Sequence, residues 1–500
     1  MAKDGPSVKE YMHARLGCLV MQAERQKTGG QRPVIVRCGW LALAFAAVVA
    51  GPAFAGTKQP APESRLLLED LGFPGVSQNF LASGGSMLSV NFVDSDHLLF
   101  TYSQRGLVPR LEGDPVDDED RMVAAKLIEL PSGKVVAQTQ WHLHDHSRYL
   151  WSLGHGRFML RIAGSLSTFE PMANLGVGQP FERTAFAHRR GLLSAVLVSG
   201  DGELLTIETG HGPVTMDFYR LSGGKTAGSP LRVEDAGSVG APSPMLLPVD
   251  ADGYFRAANR EHDKWAIEYK PFAGKEVTLA PIDSTCSPTL RRVGTSQFVA
   301  ETCRGKLGGT MLSAFDFEKH EMWEEPLAAS PLPPSMAMAP EAGRFAISRV
   351  ASIESPDTFQ ALPDSVASQD VRVYQTQTGD LLLKVSCSPI LRTAENFDLS
   401  EDGMRAAVVR GDAIEVYRLP ALTELDHADL VELEKVAPPR GTGKIVFGGL
   451  AKEERQAAAS EAASVVETDT IANGDSQGQR KPPTLLKPGE KPEFGRPNPE

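Results

Sequence analysis

The densest set of metal-capable side chains in this 500-residue chain is Trp141-His142-Leu143-His144-Asp145-His146. Successive side chains of an extended strand point to opposite faces, so His142, His144 and His146 would share one face. Three imidazoles on one face could take zinc or copper, with His155 the one nearby addition. The competing reading is that Asp145-His146-Ser147 turns the chain, its His and Asp bonding backbone groups. Without a matched fourth ligand the cluster is a weak motif, so the turn is preferred and the metal site stands as a candidate.

Five carboxylates, Asp114, Asp117, Asp118, Glu119 and Asp120, crowd a second segment. They could chelate calcium, but the Gly at the sixth position and the Glu at the twelfth position of an EF-hand loop are missing. Runs of like charge repel and stay solvated, so residues 105–120 are expected to form an exposed loop. Among the cysteines, Cys286 and Cys303 flank Leu290 to Thr302, which reads as two strands. A disulfide there would staple a strand to its neighbour in an oxidising compartment. The alternative is two buried thiols, because register decides whether the Cβ atoms can meet. Cys387 is left over and is expected to be a buried structural residue. No G-x-S-x-G, H-E-x-x-H, G-x-x-x-x-G-K-[ST] or C-x-x-C-H pattern is present. No catalytic residue and no cofactor is expected.

The elements that would position these groups follow a repeated pattern between Leu88 and Leu419. An apolar run meets a tight turn and then a second apolar run. The turn tips are Asp94-Ser95-Asp96, Gly154-His155-Gly156, Gly200-Asp201-Gly202, Ala251-Asp252-Gly253, Gly294-Thr295-Ser296, Glu341-Ala342-Gly343 and Glu401-Asp402-Gly403. Their spacing of about 40 to 60 residues matches one four-stranded propeller blade with its loops. The fold class is therefore all-β: a β-propeller of seven four-stranded blades over residues 86–435. Several strands lack strict apolar–polar alternation, as expected of inner strands buried on both faces. Arg65 to Leu71, within a lead-in over residues 56–85, is expected to close the ring as an edge partner of the last blade. Residues 351–370 form a second long insert. The blade-two segment around Met172 to Phe186 and the end of blade three carry no clear strand signal.

Residues 1–55 read as a signal peptide with an over-called start. Arg37 precedes the apolar run Trp40 to Ala50, Gly51-Pro52 breaks it, and Ala53-Phe54-Ala55 matches the small-x-small cleavage pattern. That run is too short for a membrane span, so no span is expected after cleavage. Met21 would be a more ordinary start, and Cys18 and Cys38 would leave with the signal. The formal charge of −12 lacks the basic footprint of a nucleic-acid binder, so no nucleic-acid partner is expected. Residues 436–500 are expected to be a disordered tail, since the Pro-rich, charged composition there buries too little apolar surface.

Three segments carry a family resemblance. Phe397 to Val409 (FDLSEDGMRAAVV) resembles the F-S-P-D-G-x-x-L-A-V hairpin of bacterial WD40-like and YVTN-type propellers. Val371 to Val385 (VRVYQTQTGDLLLKV) resembles their V-R-V-W-D-x-x-T-G-K-x-L hairpin, and Ala125 to Trp141 is a looser copy. No Trp-Asp dipeptide closes a strand and no regular Gly-His start occurs, so the hydrogen-bonded tetrad of WD40 blades does not carry over. The resemblance implies the propeller fold and a scaffolding role. The function expected is an exported, periplasmic or extracellular, non-catalytic scaffold for a protein, peptide or glycan, with the two long loops as recognition elements. The alternative is a propeller enzyme (lyase, hydrolase or dehydrogenase subunit) with a site in the central channel. The enzyme reading expects perturbed titratable groups in that channel. The scaffold reading expects an ordinary channel and an exposed apolar patch.

Overall fold

The structure is a computed structural model. It describes residues 60–74, 80–81, 88–103, 121–143, 148–162, 164–189, 193–199, 202–209, 214–224, 230–241, 247–250, 253–271, 275–293, 297–304, 309–316, 321–327, 334–352, 366–392 and 396–435. The expected signal peptide and tail, and the acidic loop, lie outside these. All described residues belong to one compact unit, Gln59–Glu500.

Seven four-stranded antiparallel sheets follow one another along the chain. Blade 1 runs Leu88–Asp94, His97–Ser103, Arg121–Glu129 and Val135–Leu143. Blade 2 runs Leu150–Ser152, Phe158–Ile162, Ser165–Phe169 and Thr184–His188, and blade 3 Leu193–Val198, Leu204–Thr209, Val214–Ser222 and Arg232–Ala241. Blade 4 runs Leu247–Asp250, Gly253–Glu261, Lys264–Pro271 and Val277–Asp283, and blade 5 Thr289–Arg292, Gln297–Arg304, Gly309–Asp316 and Glu321–Leu327. Blade 6 runs Ser335–Ala339, Arg344–Ser352, Val366–Gln375 and Leu381–Cys387, and blade 7 opens with Phe397–Leu399, Arg405–Arg410 and Ala413–Arg418.

The fourth strand of blade 7 comes from the other end of the unit. Ser64–Leu67 pairs antiparallel with Ala413–Arg418, Ser64 facing Val416 and Leu67 facing Ala413. The expected ring-closing strand is thus present but shorter, because the chain turns at residues 68–72. Closure satisfies the backbone edge that an open sheet would leave for another chain.

Burial explains the sequence pattern. Leu88–Asp94 is buried at all but its last residue, so it reads as an apolar run without alternation. Outer strands such as Leu381–Cys387 alternate exposed and buried, because only one face meets a neighbour. The apolar cores lie between adjacent sheets. One joins Leu66 and Val416 to Leu88, Phe100 and Ile128 across the closure; another joins Trp141 and Leu143 of blade 1 to Phe158 and Phe169 of blade 2. Blades 6 and 7 share Val371 and Val385 with Val408 and Tyr417. In blades 1 to 6 the pairing of third and fourth strands shifts register once, a bulge that adds local twist to the outer edge.

Five elements depart from the expectation. The third strand of blade 2, Ser165–Phe169, follows directly on Gly164, whose φ of 84° makes a tight hairpin. A one-turn helix, Pro171–Leu175, and the strand Thr184–His188 fill the segment that carried no signal. Blade 3 has a fourth strand, Arg232–Ala241. A helix, Glu424–Lys435, follows blade 7. Thr423 caps it: Thr423 Oγ1 accepts from Asp426 N at 3.1 Å, and Asp426 Oδ2 accepts from Thr423 N at 2.7 Å. That Thr-x-x-Asp box was legible as a helix start. No helix among the described residues is long and apolar enough to cross a membrane.

Candidate functional site

The inner strands of blades 1, 2, 3, 5, 6 and 7 line one central cavity of about 460 Å³. Each blade is an up-and-down meander, so the turn between its first and second strands opens on one face of the ring and the second-to-third connection on the other. The described turn tips, Asp94-Ser95-Asp96, Gly154-His155-Gly156, Glu341-Ala342-Gly343 and Glu401-Asp402-Gly403, therefore share one rim. The strand ends that flank the two long inserts, Ser103 with Arg121 and Ser352 with Val366, lie on the opposite face. Residues 104–120 and 353–365 themselves are outside the described residues.

The channel wall carries charge. Arg148, just before the inner strand of blade 2, donates from Nε to Leu150 O at 3.1 Å and lies 5.3 Å over the Trp151 ring. Burial pulls its guanidinium down to about 10. Arg291 donates from Nη1 to Leu290 O at 2.9 Å; burial lowers it too, opposed by the nearby Glu301 carboxylate. Asp398, on the inner strand of blade 7, opens on the cavity yet is walled by protein. Burial pushes its carboxyl up to about 7, although the backbone N–H groups of Phe92 and Leu399 bond to it. Phe92 N donates to Asp398 Oδ2 at 2.7 Å, so the same carboxyl ties blade 7 to blade 1.

At the rim, the turns of three blades bring His155, Glu341 and Glu401 together. One ligand atom from each lies within 4.8 Å of the others, and His155 Nδ1 contacts Glu401 Oε1. His155 sits at φ 53°, in the left-handed region, between two glycines also at positive φ. A Cβ on Gly202 of blade 3 would stand 2.5 Å from Arg157 Nη2 and 3.2 Å from His155 Cδ2, so glycine there leaves room for the clamp and the imidazole together.

Behind the rim, arginines lock blade to blade. Arg157, wholly buried, donates from Nη2 to Leu153 O at 3.0 Å and to Gly202 O of blade 3 at 2.8 Å, from Nε to Gly154 O at 3.0 Å and from Nη1 to Gly223 O at 3.2 Å. Arg344 of blade 6 donates from Nη1 to Gly403 O of blade 7 and from Nη2 to Pro420 O, both at 2.6 Å. Arg405 of blade 7 donates to Ser95 O of blade 1, to Asp96 Oδ1 at 2.9 Å and to Glu63 Oε2 at 3.3 Å. These guanidinium clamps tie the first turns of neighbouring blades together. Their signal was an Arg one or two residues after a turn glycine, as in Gly156-Arg157, Gly343-Arg344 and Gly403-Met404-Arg405.

Of the residues singled out from sequence, Cys286 and Cys303 form a disulfide. Cys387 is buried and free, and burial pushes its thiol up to about 12, far from a reactive thiolate. His142 is exposed on the outer strand of blade 1, whereas His144 and His146 lie outside the described residues. His155 meets Glu341 and Glu401, two residues that the sequence offered only as turn formers.

A scan against protein-family models and a search of curated proteins found no match. Solved structures with some likeness include the hydrazine synthase of Kuenenia stuttgartiensis, 11% identical with a TM-score of 0.39 over 68% of this chain and 98% of that one. The C-terminal WD40 domain of Sif2 is 9% identical with a TM-score of 0.36, over 70% of this chain and all 100% of that one. The β-propeller domain of Cps50 (Swd1) from Myceliophteria thermophila is 10% identical with a TM-score of 0.35, over 69% and 100% of the two chains. These likenesses carry nothing about what this chain binds. The seven-blade propeller architecture stands on its own strand order.

Proposed function

We propose that this chain is an exported, non-catalytic binding scaffold that engages a protein, peptide or glycan at the mouth of its central channel. The observation that carries the reading is the channel wall, where Arg148 and Arg291 stand over a cavity of about 460 Å³ in an otherwise acidic protein. Buried guanidinium groups recognise carboxylates strongly and with fixed geometry. A carboxylate-bearing segment, such as an acidic peptide or a uronic-acid residue, is the chemistry this wall fits. The exposed large apolar side chains, among them Val177, Leu381 and Leu425, are scattered over separate elements. Scattered in this way among the described residues, they favour a site on the axis of the ring over one on its faces. The disulfide supports export, since such bonds persist in oxidising compartments.

The test is affinity capture from an envelope extract with the tagged full chain and its Arg291→Gln variant. Saturable capture that the variant loses, with the secreted chain beginning at Gly56, is the expected result. Capture of the same partners by both proteins overturns the channel assignment, and an intact N-terminus in cytosolic protein overturns export.

A channel enzyme is the second reading: the shifted Arg148, Arg291 and Asp398 are the perturbed channel groups it expects, not the ordinary channel expected of a scaffold, and Asp398 favours it most. A carboxyl titrating at about 7 is placed for general acid–base work near neutral pH. Turnover in a glycan and ester screen that Asp398→Asn abolishes would shift the assignment to an enzyme.

A further inference from the structure

We propose that the channel rim holds a divalent transition-metal site made by His155, Glu341 and Glu401. The three come from the first turns of blades 2, 6 and 7, so no local segment could assemble them; only the closed ring does. One imidazole nitrogen and two carboxylate oxygens, all within 4.8 Å of one another, are a donor set suited to zinc and its neighbours, which take mixed nitrogen and oxygen ligands.

Charge supports a cation there. Two carboxylates held this close repel unless a positive charge balances them. Among the described residues no Lys or Arg pairs with Glu341 or Glu401, and the ionic contact of Glu401 is with His155. The neighbouring Asp402 carboxylate is committed elsewhere, accepting from Ser95 Oγ and Ser400 Oγ, each at 2.6 Å. The Arg405 guanidinium is likewise engaged with Ser95, Asp96 and Glu63. Nearby arginines thus serve the clamps and leave the cluster itself anionic.

The imidazole is also held in place. Gly202 packs against its edge, and Gly156 fits where an added Cβ would stand 2.6 Å from Val93 O. A ligand whose position is set before the ion arrives loses less conformational entropy on binding. Three protein ligands leave at least one coordination position open toward the channel, as in sites that exchange water for another molecule. The proposal is independent of whether the channel also takes a carboxylate-bearing partner.

The test uses the full chain, stripped with a chelator and titrated with zinc chloride by calorimetry, with metal content read by atomic emission. One zinc per chain is expected, and His155→Gln or Glu341→Gln should weaken binding by about tenfold or more. His142→Gln separates this site from the histidine run on blade 1 and should leave the affinity unchanged. Circular dichroism shows whether each variant is folded; the Glu341 side chain is exposed, so Glu341→Gln is the variant least open to misfolding. Absence of stoichiometric zinc binding overturns the proposal. So does equal binding by folded His155→Gln and Glu341→Gln, or loss of the ion in His142→Gln.

Discussion

Two arcs of the ring hold their blades together by different means. From blade 6 through blade 7 to blade 1, and again from blade 2 to blade 3, a guanidinium crosses each seam to the turn carbonyls of the next blade. Among the described residues the junction of blades 4 and 5 has no such Arg. Its second strands begin with Gly253 and Gln297, and the connection between the two blades is tied covalently to blade 5 by Cys286 to Cys303. Ser284 reinforces it, donating to Cys286 O at 2.7 Å and accepting from Cys303 N at 3.0 Å. The charged pairs of this arc mostly stay inside a blade, as Arg256 with Glu268 and Glu276 and Lys264 with Asp283. The difference teaches that a propeller seam needs its turn carbonyls or its connection tied down, and that the tie can be polar or covalent. The polar tie also shapes the channel rim, because the clamped turns are those that carry His155 and Glu401.

The largest way to break the comparison is Arg157→Met. It keeps much of the side-chain volume but strips donors from four carbonyls. Unsatisfied buried carbonyls cost about 1–3 kcal/mol each, so a loss on the order of 4 kcal/mol is expected in urea unfolding. A change under about 1 kcal/mol would mean that the clamp is dispensable. The next effect is Cys303→Ser. The two cysteines are 17 residues apart, and closing a loop of that size stabilises by about 3 kcal/mol in the chain-entropy treatment. This loss should match that of the wild-type chain under reductant and leave the Arg157 penalty unchanged, since distant sites add.

The last effect is a pH dependence at the seam between blades 7 and 1. Asp398 is raised from its ordinary value of 3.8 to about 7 in the folded chain. Between those values the folded state keeps a proton that the unfolded state has released, so stability falls as pH rises from about 4 to about 7 and is flat beyond. The slope from this group is at most about 1.4 kcal/mol per pH unit. Asp398→Asn should remove it, read as unfolding midpoints from pH 4 to 8. An unchanged pH profile would show that Asp398 is not protonated in the folded chain.

Much of this was legible in the sequence because a hairpin is a local object. The tips at Gly154-His155-Gly156 and Glu401-Asp402-Gly403 announce themselves by residue type, and the flanking runs by their apolar content. The unmarked elements were those whose patterns tertiary contacts override. Thr184–His188 is mostly exposed, so it lacks an apolar stripe, yet it pairs with Ser165–Phe169 because the blade needs an outer strand.

The sequence by itself determined the repeat, the turns, the closing strand and the cysteine pair that could meet, since each depends on neighbours along the chain or on a single pairing. Only the tertiary structure decided which turns share a rim. His155, Glu341 and Glu401 lie on three blades, and no periodicity links a turn on blade 2 to turns on blades 6 and 7. Ring closure brings them together, because it aims equal positions on every blade at one axis, where turns of blades that are not adjacent can meet.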